Sequence, residues 1–338
     1  MLEALLGRLL ALIIVLGLIV GGVAIGGYKY VHSRLDVKDA VLNEGTFTIP
    51  RGATASRVIG ALQDEGFISS EGLFPPSDGL VLTLATKAEL IRPQIKAGEY
   101  NIPTGLSLQE LLDYLSDGSH AIQHQVTFPE GWRSAQILER LKANSILVGQ
   151  VPNVLPEGRY LTDTWSFERG DTRQEVLNRM HQAQNDLLNE LWDNRDKELP
   201  IKTKEEAIIL ASIVERETAK PEERPMVASV YINRLKQDMK LDADPTVAYG
   251  AGKFGSDAPL TRSDLQNKNN PYNTYIYKGL PPGPIANPGR GAIEAVLKPA
   301  TSDYIFFVAD GTGGHIFAKT YKEHQQNVAK WRKIQENQ

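Results

Sequence analysis

The chain has 338 residues, 41% of them hydrophobic, with a formal charge of −4 and a pI near 5.9. That length accommodates a membrane anchor and two or three small domains, and the mild acidity lacks the basic footprint of a nucleic-acid binder. The sequence has no cysteine, which excludes disulfides and thiolate chemistry and fits an extracytoplasmic protein.

Leu9 to Gly27, LLALIIVLGLIVGGVAIGG, is an uncharged run of 19 residues, the length of one bilayer-spanning helix. It exceeds a usual signal-peptide core, and no small-x-small cleavage site follows it. An uncleaved single-pass anchor over residues 1–34 is therefore expected, with the rest of the chain outside the cytoplasm. Arg8 lies on one side of the run and Lys29 and Arg34 on the other, so the positive-inside rule does not set the orientation.

After the anchor one pattern recurs: FTIPRGATASRVIGAL from Phe47, YNIPTGLSLQELLDYL from Tyr100 and VTFPEGWRSAQILERL from Val126. Each copy has an alternating triplet, a Pro-x-Gly, a polar or capping residue and an amphipathic stretch, which predicts strand, turn and helix. The spacing is too irregular for a solenoid. Such units resemble LysM modules, which bind glycans containing N-acetylglucosamine; a small α/β packing domain without a ligand is the alternative. This module is expected over residues 40–125, with PPSDG (Pro75 to Gly79) as a turn-rich break between its first two units. A mostly helical connecting region is expected over 126–200, interrupted by PEGRYLTDTW (Pro156 to Trp165), a loop with exposed aromatics.

From Thr203 the character changes. Thr203-Lys-Glu-Glu206 reads as a capping box, an apolar run follows, and Pro221 marks a stop. Leu210 and Val214 set the middle of the apolar stripe, and Glu217, seven residues past Leu210, falls roughly 20° from it. Glu215 falls well off the stripe, near Ile208. A carboxylate on an apolar stripe needs a reason, because an unpaired buried charge is costly. Glu217 is either a helix-end residue that reaches solvent or pairs with Arg216 or Arg224, or a general acid whose pKa is raised by a partly apolar cleft.

The next helix, PMVASVYINRL from Pro225 to Leu235, is apolar on nearly every face and so buried; Asn233 and Arg234 at its end must find partners. DADPTVAYG follows, with a turn expected at Asp244-Pro245 and hydroxyls at Thr246 and Tyr249. In PYNTYIYKGLPPGPIANPG, Pro271 to Gly289, eight of 19 residues are Pro or Gly. Its tyrosines and amides suit a sugar surface at low ordering cost, or the loop packs structurally on the core. A hairpin, YIFFVADGTGGHIFAKT, and a polar helix close the chain. The six His are scattered without ligand spacing, so no metal is expected; no nucleophile elbow or P-loop is present, and no cofactor is expected.

ASIVERETAKPEERPMVASVYINRL, DADPTVAYG, YNTYIYKGLPPGPIANPG and YIFFVADGTGGHIF together resemble the membrane-bound endolytic murein transglycosylases, the YceG-like family. IVERET also resembles the glutamate-serine element of soluble lytic transglycosylases, with Thr218 in place of the serine. The resemblance implies an α+β protein: anchor, LysM-like module and, over 201–338, a lysozyme-like transglycosylase domain. It implies Glu217 as the catalytic residue, in agreement with the helical wheel. Thr218, Asn233, Asp244, Thr246, Tyr272, Asn273, Thr274 and Tyr275 are the substrate-binding candidates carried by these motifs.

The substrate implied is peptidoglycan glycan strands, with peptidoglycan synthases as partners and the cytoplasmic membrane as location. The reaction implied uses one carboxylate where an ordinary glycosidase uses two. Protonated Glu217 serves the oxygen leaving C1 of N-acetylmuramic acid, then takes the proton of the same sugar's C6 hydroxyl, leaving a 1,6-anhydro end. Tyr272, Asn273 and Thr274 are candidates to stabilise the oxocarbenium-like charge with neutral dipoles, and Asp244 is the candidate second acid or base. The rival expectations are a non-catalytic wall-binding scaffold and a muramidase that hydrolyses.

Overall fold

The computed structural model describes residues 2–70, 76–255 and 258–336, so Pro75, the first residue of the expected PPSDG break, lies outside the described residues. By contact the chain divides into two compact units, residues 1–124 with 167–170, and residues 125–166 with 171–338.

In the first unit α1 (Leu2–Leu35) is long and apolar enough to cross a bilayer over Leu6–Leu35. Its last turns are not a free tether: Val31 and Leu35 are buried in the unit's core, and Arg34 meets the buried Asp78 at 2.6 Å. The core is built by β1 (Gly45–Ile49), α2 (Ala55–Asp64), α3 (Asp78–Lys87), β2 (Gly98–Ile102) and α4 (Leu108–Ser116). β1 and β2 pair antiparallel with Phe47 opposite Tyr100, and the alternation buries Phe47 and Ile49 on one face while Thr46 and Thr48 face out.

The three Pro-x-Gly segments turn as their chemistry dictates. Gly52, Gly105 and Gly131 have φ of +77°, +83° and +75°, a region costly for residues with a Cβ. Each turn leads to a helix: α2 capped by Thr54, α4 by a Ser107–Glu110 capping box, and α5 (Ser134–Ala143) with Gln136 bonded back to the Arg133 N–H.

The third copy of the pattern enters the second unit. β3 (His124–Thr127) pairs with β4 (Thr164–Phe167), and α6 (Arg173–Asp193) follows. The segment expected as a loop with exposed aromatics ends in this strand, and Tyr160 within it is buried. Its backbone N–H is held by the Asn287 side chain at 3.2 Å, 127 residues away, a contact no local pattern encodes.

The core of this unit gathers α6, α7 (Lys204–Glu217), α8 (Arg224–Lys236) and α11 (Arg290–Leu297). α7 starts at the Thr203–Glu206 capping box and is buried from Ala207 to Glu215. α8 is buried from Val227 to Ile232, and its terminal polar groups are satisfied as burial demands. Asn233 donates to the carbonyls of Ser302 and Tyr304; Arg234 donates to those of Lys240, Leu241 and Ile305.

DADPTVAYG is not a turn-rich loop but contains α9 (Asp244–Gly250). Pro245 sits in its first turn, where a missing N–H costs nothing. α10 (Arg262–Leu265) is a single capped turn. The hairpin pairs β5 (Phe306–Ala309) with β6 (His315–Ala318), Phe307 opposite Phe317, and α12 (Tyr321–Glu336) packs on it.

Candidate active site

α7 ends at Glu217, where the apolar stripe runs out into a cleft of about 410 Å³. Asp242, Asp244, Tyr275, Tyr231 and Arg234 line it with Glu217, and Phe306, Phe307, Val308, Tyr321, His324 and Val328 form its apolar wall. The volume is in the range of small-ligand clefts.

The Tyr231 hydroxyl donates to Glu217 Oε1 at 2.6 Å. Tyr231 is 1% exposed; burial and the neighbouring carboxyl push its phenol well above the usual range, so it remains a donor. Among the described residues Glu217 Oε2 has no hydrogen-bond partner, which leaves that oxygen to carry a proton. Burial raises the Glu217 pKa to about 7; the Tyr231 bond and the Arg234 charge oppose the rise, and the Asp244 charge adds to it. At neutral pH Glu217 therefore exists as both acid and base, the condition for one residue to give and then take a proton.

Asp244 Oδ1 accepts from the Tyr275 hydroxyl at 2.8 Å. Burial and the Asp244 charge push the Tyr275 phenol upward, so this pair is a fixed neutral donor on a carboxylate. Asp242, on the same rim, has φ +47°; its Oδ2 accepts from the deeply buried Arg234 at 3.1 Å.

Of the residues singled out in the sequence, Glu217, Asp244 and Tyr275 are brought together in the cleft. The others belong to its frame. Asn273 is fully buried, and its amide donates to the carbonyls of Asp264, Leu265 and Asn267. Thr274 bonds the Ala243 N–H and Thr246 Oγ1, both at 2.9 Å. The Tyr272 ring packs tilted against Tyr249, centroids 4.7 Å apart, and Tyr272 does not line the cleft. Asn233 is spent on carbonyls, and Thr218 is buried behind Glu217. Asn273 and Thr274 spend their side-chain donors on neighbouring segments, and none of Tyr272, Asn273 and Thr274, the dipole candidates read from the sequence, lines the cleft.

Tyr231, Arg234, the β5 aromatics, Tyr321 and His324 are site residues that the motifs did not single out. Tyr231 and Arg234 had a signal, as polar groups in a largely apolar helix that must find partners. The wall residues come from a hairpin and a terminal helix remote in sequence.

Glu215, which the wheel places off the stripe near Ile208, is buried as well. It is 9% exposed, accepts from Arg224 at 2.7 Å and from the Gly289 N–H at 3.0 Å. Arg224 in turn bonds Glu130 at 3.0 Å. The chain packs on α7 from every side, so an off-stripe position is buried too.

Residues 47–330 match the YceG-like family model. The chain belongs to the YceG-like family. Its fold is correspondingly YceG-like: a crystal structure of a yceG-like protein from Listeria monocytogenes superposes with a TM-score of 0.51 at 27% identity, over 84% of this chain and 99% of that one. Curated relatives of this YceG-like chain include the endolytic murein transglycosylase of Bacillus subtilis, 29% identical over 93% of this chain and 91% of the relative. The Streptococcus pneumoniae D39 protein of the same name is 28% identical over 90% of this chain, and the matched region spans 61% of that relative's length.

Proposed function

We propose that this chain is a membrane-anchored lytic transglycosylase of peptidoglycan, cleaving the bond between N-acetylmuramic acid and N-acetylglucosamine. The observation that carries this reading is Glu217: one carboxyl with a pKa of about 7, held by a single hydrogen bond at the base of an aromatic-walled cleft. Family membership and the names of the curated relatives support the substrate class.

Protonated Glu217 gives its Oε2 proton to the glycosidic oxygen as the C1–O bond breaks. The leaving sugar departs with that proton. The resulting carboxylate then takes the proton of the C6 hydroxyl, O6 bonds to C1, and a 1,6-anhydro end forms without consuming water. Tyr231 holds Oε1 throughout, so the same oxygen gives and receives. The Asp244 carboxylate, fixed by Tyr275, places negative charge across the cleft from the developing oxocarbenium ion.

The helical frame with an acid at the end of a buried helix supports a lysozyme-like reading of the second unit. In the first unit the order β1-α2-α3-β2 supports a LysM-like, glycan-holding role, and α1 supports anchoring with the remainder outside the cytoplasm. A soluble mature form beginning near Tyr28 in cell fractions would remove the anchor from this account.

A second reading, a hydrolysing muramidase, is favoured by one observation: a second carboxylate, Asp244, stands in the same cleft and could direct a water. Mass spectrometry of products from purified strands decides. Terminal 1,6-anhydro sugars are expected; reducing ends would convert the assignment to hydrolysis, and intact strands would leave a wall-binding scaffold.

A further inference from the structure

Glu217 is the last residue of α7, so the helix does not continue past it to fix its direction. The next residue, Thr218, leaves in extended conformation, with φ −134° and ψ 132°, and is 3% exposed. Its hydroxyl donates to Glu223 Oε2 at 3.2 Å and accepts the Lys220 N–H at 3.1 Å.

Glu223 is also gripped from the hairpin. His315 Nδ1 lies 2.7 Å from Glu223 Oε2, and the His315 backbone N–H donates to Oε1 at 3.0 Å. Burial opposes ionisation of Glu223, but these bonds from His315 and Thr218 outweigh it and hold the carboxyl below its ordinary value. A carboxylate only accepts, so His315 Nδ1 carries the hydrogen. Both side chains are largely enclosed, at 14% and 16% exposure, where such bonds are stronger than on an open surface.

The contacts then return to Glu217. The Phe307 ring meets His315 edge-on at 5.2 Å and Tyr231 edge-on at 5.8 Å, and Tyr231 bonds Glu217. The circuit Glu217–Tyr231–Phe307–His315–Glu223–Thr218 is closed by the peptide bond between Thr218 and Glu217. Gly314 makes the close approach possible: a Cβ there would stand 2.5 Å from Glu223 Oε1 and 3.0 Å from Asp310 Oδ2.

We infer that Glu223 and His315 are positioning residues for Glu217, tying the hairpin that walls the cleft to the end of α7. This rests on the reading of Glu217 as the acid–base of glycan cleavage. Opening the circuit frees Phe307 from Tyr231, loosens the aim of Glu217 and admits water beside it. Tyr231, Arg234, Asp244 and Tyr275 interact electrostatically with the Glu217 carboxyl, and Asp242 and Phe307 line the same cleft. Neither Glu223 nor His315 lines the cleft, so neither is assigned contact with substrate.

The test uses the full-length protein in detergent with purified glycan strands, comparing wild type with His315→Ala, Glu223→Ala, the double variant and His315→Asn. Each alanine variant is expected to lower kcat on the order of 10- to 100-fold, the scale of a misaligned catalytic group, with KM changed less than about threefold. The double variant is expected to match the singles, because one circuit is broken once. His315→Asn, which keeps a donor near the Nδ1 position, is expected to restore most of kcat.

Alanine variants with wild-type kcat, even if less thermostable, would overturn the inference, as would losses that simply multiply in the double variant. If His315→Ala does not fold, Gly314→Ala strains the same contact without deleting a partner, and wild-type kcat there is equally damaging. Titration of the Glu217 carboxyl by carbon NMR separates this idea from the cleavage reading, since it needs no turnover. A Glu217 pKa displaced in His315→Ala, downward where water enters or upward where the Tyr231 bond is lost, supports the circuit even if wild type releases no product, and an unchanged one refutes it.

Discussion

Glu215 and Glu217 stand two residues apart on α7, and burial raises the pKa of both. The two ends of this comparison differ in what surrounds the carboxyl. Glu215 has Arg224 on one oxygen and the Gly289 N–H on the other, inside the packing of Glu130, Arg224 and the Pro-rich loop. Glu217 has one neutral donor on one oxygen, and its other side opens into the cleft. A carboxylate bonded on both oxygens works as mortar. One with a free oxygen, little counter-charge and a cavity beside it is ready to exchange a proton. Burial alone does not leave a carboxyl free to exchange a proton; the unfilled partner position does.

The sharpest way to break this contrast is to neutralise each carboxyl without changing its shape. Glu217→Gln is expected to lower turnover by roughly 100-fold or more, the scale of a lost general acid–base, with the circular dichroism spectrum retained. Cleavage at the wild-type rate would remove Glu217 from the chemistry.

Glu215→Gln should act on stability instead. An amide presents one acceptor and one donor, so either Arg224 or the Gly289 N–H faces a donor. About 2–3 kcal/mol of folding free energy should be lost in denaturant titrations, with turnover per folded molecule largely kept. Loss of turnover at unchanged stability would invert the two roles.

The pH dependence of stability sharpens the comparison further. The folded pKa of Glu217, about 7, lies above its ordinary 4.5. Its stabilising contribution is therefore fully present below about 4.5 and lost as pH rises through about 7. Glu217→Gln removes that loss and keeps an acceptor for Tyr231. The variant should match wild type at acid pH and exceed it above neutrality by up to about 3 kcal/mol. Parallel stability profiles for the two proteins would mean that the carboxyl is not perturbed.

Tyr231→Phe is expected to have the smallest effect. It deletes a hydrogen bond that lowers the Glu217 pKa, so the alkaline limb of the pH–rate profile should move upward. Turnover at neutral pH should fall severalfold, near the roughly 1 kcal/mol of one hydrogen bond. A limb that moves downward, or not at all, would mean that Tyr231 does not hold the acid.

Much of the local structure was legible because its causes are local. Pro-x-Gly gave the three turns through glycines at positive φ, Thr203 and Glu206 gave the start of α7, and the apolar period put Glu217 on the stripe. The same wheel put Glu215 off the stripe but did not show its burial, because α7 is buried from Ala207 to Glu215. Composition left the Pro-rich loop open: tyrosines and amides look alike whether aimed at a sugar or at backbone carbonyls nearby, and of this loop Tyr275 lines the cleft.

The apolar N-terminal helix, the repeated strand–turn–helix, the family and a glutamate on an apolar stripe could all be read from the residues in order. Those follow from interactions within a few residues and from motif identity. Tertiary structure alone decided that Tyr231 bonds that glutamate, that Asp244 and Tyr275 face it, and that a hairpin some 90 residues downstream walls the cleft. It also decided that Glu215 is bonded on both oxygens, by Arg224 and by the Gly289 N–H. A pKa depends on which groups stand within a few ångströms in space, and that distance is fixed by how α7, α8, α11 and the hairpin pack.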